Sequence, residues 1–85
     1  MKEVRILGVY INDRVKDAIR IQPILTKYGC TIRTRLGLHG TDHDYAEDTG
    51  LILLELSGEA DECLKLENEL LSVEDLDVQK MVFRK

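Results

Sequence analysis

Residues 39–49, HGTDHDYAEDT, gather side chains that could bind a metal or move a proton: His39, Asp42, His43, Asp44, Tyr45, Glu47 and Asp48. Imidazole and carboxylate donors suit a transition metal, and Cys30, nine residues before His39, could add a thiolate. His39, His43 and Cys30 are therefore the candidate metal ligands. The pattern is loose, because the two histidines fall outside any helical stretch and the acidic run lacks the central glycine and closing glutamate of a calcium loop. Its bland reading is a solvated connector. A second chemistry is anion binding. Arg33 and Arg35 could hold a carboxylate or phosphate, and Asn12, Asp13 and Arg14 form a turn where a helix begins, a place that attracts anions. Their plain readings are ion pairing with Glu55 or a neighbouring subunit, and a helix cap. There is no glycine-rich phosphate loop, GxSxG, HExxH or CxxC, and no spacing that sets a nucleophile beside a base. A non-catalytic protein is the expectation, with no cofactor specified.

These groups must be positioned by a small scaffold. Residues 3–11, EVRILGVYI, are aliphatic and β-branched and read as a strand closed by Asn12-Asp13. Asp13 is an N-cap candidate, after which Val15, Ala18, Ile19, Leu25 and Tyr28 recur at spacings of three and four, predicting a helix that Gly29 ends. Pro23 lies inside it, where a missing N–H and a clash with the carbonyl of Ile19 predict a kink or broken turn. Residues 30–38 alternate, with Ile32, Leu36 and Leu38 on one face and Arg33, Arg35 and Gly37 on the other. Residues 50–58, GLILLELSG, form a glycine-bounded third strand. Pairing the two as a hairpin predicts Arg33 opposite Glu55. A second helix follows from Glu59 to Leu71, with Ala60, Cys63, Leu64, Leu70 and Leu71 on its apolar stripe and Asp61 and Glu62 in an anionic first turn. Residues 76–83 return to strand character.

The chain has 85 residues, net charge −4, 44% hydrophobic and 33% charged side chains, one proline and six glycines. That fits a single globular domain over residues 1–85 and excludes disordered and collagen-like classes. The longest apolar run is Leu51 to Leu54, too short to span a bilayer, and residues 1–4 carry no apolar signal region, so a cytoplasmic, non-membrane protein is expected. Two cysteines are too few for a disulfide scaffold or a four-cysteine zinc site, and both Cys30 and Cys63 read first as small buried hydrophobes. Eight of the twelve basic side chains lie in residues 1–43 and twelve of the sixteen acidic ones in residues 44–85. An acidic domain without a concentrated basic patch is a poor direct partner for nucleic acid.

Strand, helix, strand, strand, helix, strand is the α+β, ferredoxin-like βαββαβ arrangement: a four-stranded antiparallel sheet with two helices on one face. Right-handed crossovers place the first and third strands centrally. Both are apolar on both sides. Leu51 and Leu53 alternate with Ile52, Leu54 and Leu56, and Leu7, Val9 and Ile11 with Val4, Ile6 and Tyr10. Helices cover only one face, so the other would expose aliphatics together with Met81 or Phe83. A second copy is the expected cover, giving a homo-oligomer, dimer or tetramer.

The stretches VRILGVYINDR, LTKYGCTIRTRLGLH at residues 25–39 and GLILLELSG at residues 50–58 resemble the small stand-alone ACT-like proteins of the iron-only hydrogenase system regulator family. Their fold is similar to the C-terminal domain of the nickel-responsive repressor. The resemblance implies a regulatory module that associates through its sheet and takes a small-molecule effector near the first strand–helix turn, here Asn12, Asp13, Arg14 and Val15. The sequence departs from amino-acid-binding ACT domains, which have a proline–glycine pair where Arg14-Val15 follows Asp13. It also departs from the repressor's nickel site, since only His39, His43 and Cys30 are available. Without the repressor's DNA-binding arm, such a regulator would act through a partner protein.

Overall fold

A computed structural model describes residues 3–38 and 50–84, and of Arg14, Val15 and Leu38 the backbone only. The element order is β1 (Glu3–Ile11), α1 (Arg14–Lys27), β2 (Ile32–Leu38), β3 (Gly50–Leu56), α2 (Ala60–Leu71) and β4 (Leu76–Arg84). The strands form one antiparallel sheet in the order β2-β3-β1-β4. This is the α+β ferredoxin-like arrangement, with the apolar β1 and β3 at the centre. Alternate residues of β1 and β3 face the helices. Leu7, Val9, Ile11, Leu54 and Leu56 pack there against Ile21 and Leu25 of α1, Tyr28 just past its end, and Cys63, Leu66 and Leu70 of α2.

The helix stripes differ from their expected registers. On α1 the buried side carries Asp17, Ile21, Leu25 and Tyr28, while Ala18 is exposed and Ile19 is 74% exposed. Three large apolar groups at spacings of four and three outweigh the small Ala18, and that rotation carries Asp17 into the interior. There its Oδ2 accepts the Asp13 N–H at 3.3 Å, and Arg20 Nη1 lies 3.6 Å from Oδ1. On α2 the buried set is Cys63, Leu66, Glu67 and Leu70, whereas Ala60, Leu64 and Leu71 face outward. Pro23 does not break α1, which runs through it to Lys27. Pro23 and Ile19 are both exposed, so the carbonyl that loses its N–H donor sits on the water side. Helix α1 ends at Lys27 with Tyr28 as its C-cap, and Gly29 follows without a left-handed backbone.

Strand β2 brings a second correction. Ile32 pairs with Leu56 and Thr34 with Glu55, so the register shifts by one residue at Arg33. That β-bulge moves Ile32 to the helix-covered side, where it packs against the core, and leaves Leu36 opposite Leu53 on the open side. Thr34, not Arg33, stands opposite Glu55, and its Oγ1 donates to Glu55 Oε1 at 2.9 Å. Among the described residues no helix is long and apolar enough to cross a membrane.

Candidate functional site

The features that could bind something lie in three places. The first is the open face of the sheet. Residue parity places Val4, Ile6, Gly8 and Tyr10 of β1, Leu51 and Leu53 of β3, Leu36 of β2 and Met81 and Phe83 of β4 on one side. None of these side chains is fully buried, and Leu36, Met81 and Phe83 remain 50%, 52% and 52% exposed. A face of this kind should read polar if it met only water; here the register gives it the polar side chains Thr34, Glu55, Asp77 and Gln79 among mostly apolar ones. At its middle lies a shallow apolar depression of about 200 Å³ lined by Ile6, Gly8, Leu53, Gln79, Lys80 and Met81.

The second is the corner joining β1 to α1. Asp13 is an N-cap in extended conformation whose Oδ1 accepts the Lys16 N–H at 3.1 Å. Asn12 Nδ2 donates to the Asp75 carbonyl at 2.7 Å, and Arg20 Nη1 donates to the Glu74 carbonyl at 3.3 Å. These bonds tie the corner to the turn before β4, where Asp75 has φ 70°, a left-handed backbone that aspartate tolerates better than bulkier residues. Asn12 and Asp13 already have hydrogen-bond partners within the fold.

The third is a groove of about 460 Å³ at the other end of β1, where Glu3, Arg33, Glu55, Ser57 and Glu59 meet the start of α2. Glu59 caps that helix without a side-chain hydrogen bond. The groove holds one basic and three acidic side chains, a poor cradle for an anion. Arg35 lies on the covered side of β2, opposite Leu54, and its Nη1 donates to Gln22 Oε1 at 3.4 Å. The five candidate ligand-binding residues therefore do not converge: Asn12, Asp13 and Arg14 sit past the end of β1, Arg33 near its beginning, and Arg35 behind the sheet.

Of the candidate metal ligands, His39 and His43 lie outside the described residues. Cys30 is a free, exposed thiol, so it is not the buried hydrophobe expected from its type; the turn after α1 carries it past the end of the core. Among the described residues no group of three His, Cys, Asp or Glu side chains could hold a metal ion. Cys63 is buried as expected, and desolvation pushes its thiol above the usual range, with Arg5 opposing part of that shift.

Two groups escaped sequence reasoning. Arg5, on the covered face of β1, is 8% exposed, and its Nη1 donates to Glu67 Oε1 of α2 at 3.4 Å; Lys80 Nζ reaches Glu67 Oε2 at 3.3 Å and Arg5 Nη2 reaches Glu3 at 3.1 Å. An arginine at an inward strand position was the available signal, and it required a buried acid on the facing helix. Gly8, the one residue without a side chain in a central strand of bulky ones, was the other.

No protein-family model matches the sequence, and no curated protein matches it. Similarity appears among solved structures. An uncharacterized protein, TM1266 from Thermotoga maritima, superposes with a TM-score of 0.81 at 20% identity, covering 98% of this chain and 100% of that one. SnoaB, a cofactor-independent oxygenase from Streptomyces nogalater, gives 0.59 at 9% identity over 100% of this chain and 94% of its own. CPII from Thiomonas intermedia K12, solved bound to ADP, AMP and acetate, gives 0.50 at 14% identity with the same coverages. At these identities the likeness defines the fold. That fold carries an oxygenase in one protein and a nucleotide-bound structure in another, so activity has to be argued from the site.

Proposed function

We propose that this chain is a non-catalytic regulatory or effector-sensing module that works as a homo-oligomer, in the manner of the iron-only hydrogenase system regulators it resembles in sequence. The observation that carries the reading is the open face: an apolar sheet surface with half-exposed Leu36, Met81 and Phe83 and, among the described residues, no helix over it. An exposed, contiguous apolar face marks an interaction site, and a second copy is the cover always at hand. A small-molecule effector would bind at the β1–α1 corner, where Asn12, Asp13 and Arg14 meet the start of α1; Arg33 and Arg35, which lie elsewhere on the sheet, are not part of that corner. The module acts through this effector or a partner protein rather than directly on nucleic acid.

Sedimentation velocity at micromolar concentration should give a mass at least twice the 9.7 kDa of the chain; a monomer at that concentration overturns the reading. A thermal-shift panel of amino acids, nucleotides and divalent metals on the same sample identifies the effector, because a ligand at 100 times its Kd stabilises by about 2.7 kcal/mol. A shift with nickel, cobalt, zinc or copper alone would move the function to metal sensing through His39, His43 and Cys30.

A further inference from the structure

Gly8 occupies the centre of the open face, in the middle of a central strand, where glycine weakens strand formation and offers nothing to pack. Nothing among the described residues requires it. Its backbone is not left-handed, and a Cβ there would meet Leu53 Cδ2 at 3.7 Å and the Gln79 carbonyl at 4.0 Å, both ordinary contacts. The missing side chain creates the apolar depression of about 200 Å³, smaller than the 300–1,000 Å³ typical of small-molecule sites and suited to a single side chain. Directly beside this hole, on the other central strand, stands Leu53, the cross-strand partner of Gly8.

We infer that Gly8 is the socket of a self-complementary dimer interface, filled by Leu53 of a second copy. This rests on the homo-oligomeric reading above and specifies how the two sheets lock. A two-fold axis running along the strands, midway between β1 and β3, exchanges Leu53 with Gly8, so one operation seats both leucines in both sockets. The same axis superposes Leu51 on Tyr10, Glu55 on Ile6 and Thr34 on Met81 of the opposite copy, and no like charges meet. It also gives full overlap of the four strands. At a spacing of about 4.8 Å and a length of about 25 Å, the sheet presents a footprint of about 500 Å², so a pair buries about 1,000 Å². That is the floor for a specific interface, and it is reached only when the sheets overlap completely and the central socket is filled.

The test is a double-mutant cycle on self-association by sedimentation velocity, with far-UV circular dichroism confirming the fold of each variant. Gly8→Val fills the socket and Leu53→Ala removes the plug; each should raise the dimer Kd at least about tenfold. The double variant, with a smaller plug and its own valine in the socket, should fall closer to wild type than the two losses combined. Gly8→Ala, which the available space admits, should give a smaller loss in the same direction and serves if Gly8→Val fails to fold. A wild-type dimer whose Kd is unchanged by Gly8→Val and Gly8→Ala, or strictly additive losses in the cycle, overturns the socket while leaving the oligomer intact. A monomeric wild type overturns the oligomer itself, and the socket with it.

Discussion

The two faces of this sheet are made from nearly the same residues and end in different states. Toward the helices, Leu7, Val9, Leu54 and Leu56 are at most 3% exposed and interlock with Ile21, Leu25, Leu66 and Leu70. Away from them, Val4, Ile6, Leu51 and Leu53 are no less apolar, yet the surface they form reaches solvent and contains a hole at Gly8. Even the polar residues separate the two sides. The covered face admits Arg5 only because Glu67 and Glu3 meet its guanidinium. On the open face the Thr34–Glu55 pair sits at the margin, where water can solvate it. Hydrophobicity along a strand therefore does not separate its two faces; the partners of the polar residues do.

The contrast can be broken most severely from the covered side. Leu7→Ala removes a fully buried side chain from the middle of β1 and should cost about 4 kcal/mol in urea unfolding, enough to unfold much of a domain this small. A loss below about 1 kcal/mol would mean the covered face is not the tight one. Glu67→Ala comes next. It leaves Arg5 buried with only Glu3 beside it and should destabilise by about 3 kcal/mol in the same measurement, whereas replacing Arg5 and Glu67 together by apolar residues should recover most of that loss. The smallest effect belongs to the open face. Phe83→Ser should change the unfolding free energy of the dissociated chain by less than about 0.5 kcal/mol, while weakening self-association at higher concentration. Equal losses for Leu7→Ala and Phe83→Ser at high dilution would erase the distinction between the faces.

Much of the architecture was legible in the sequence, because it rests on periodicity and punctuation. The alternation in EVRILGVYI located β1 and both of its faces, the flanking glycines bounded β3, and Asp13 announced the start of α1. What remained illegible depends on choices between competing partners. The expected stripe of α1 holds at Leu25 and Tyr28 and fails at Ala18 and Ile19, because no local rule reveals that the core will accept Asp17 in order to bury Ile21. The bulge at Arg33 leaves no mark in an alternating run, yet one residue of slip changes the side on which Ile32 lies and the neighbour of Glu55. The candidate site was the least legible part. Arg33 and Arg35 look like a pair two residues apart, and the bulge and strand parity send one to a groove and the other behind the sheet.

That same bulge limits how a further strand could be added to the sheet. Open-ended growth of a β-ribbon needs two regular, unpaired borders on each molecule, one to receive and one to be received. Here the irregular border at β2 interrupts the row of amide and carbonyl groups that an incoming strand would follow, a device that natural sheets use against runaway polymerisation. Only the β4 border keeps an uninterrupted register with β1 behind it. A single regular border of this kind can add one strand but cannot propagate a ribbon, because the opposite border offers no matching register.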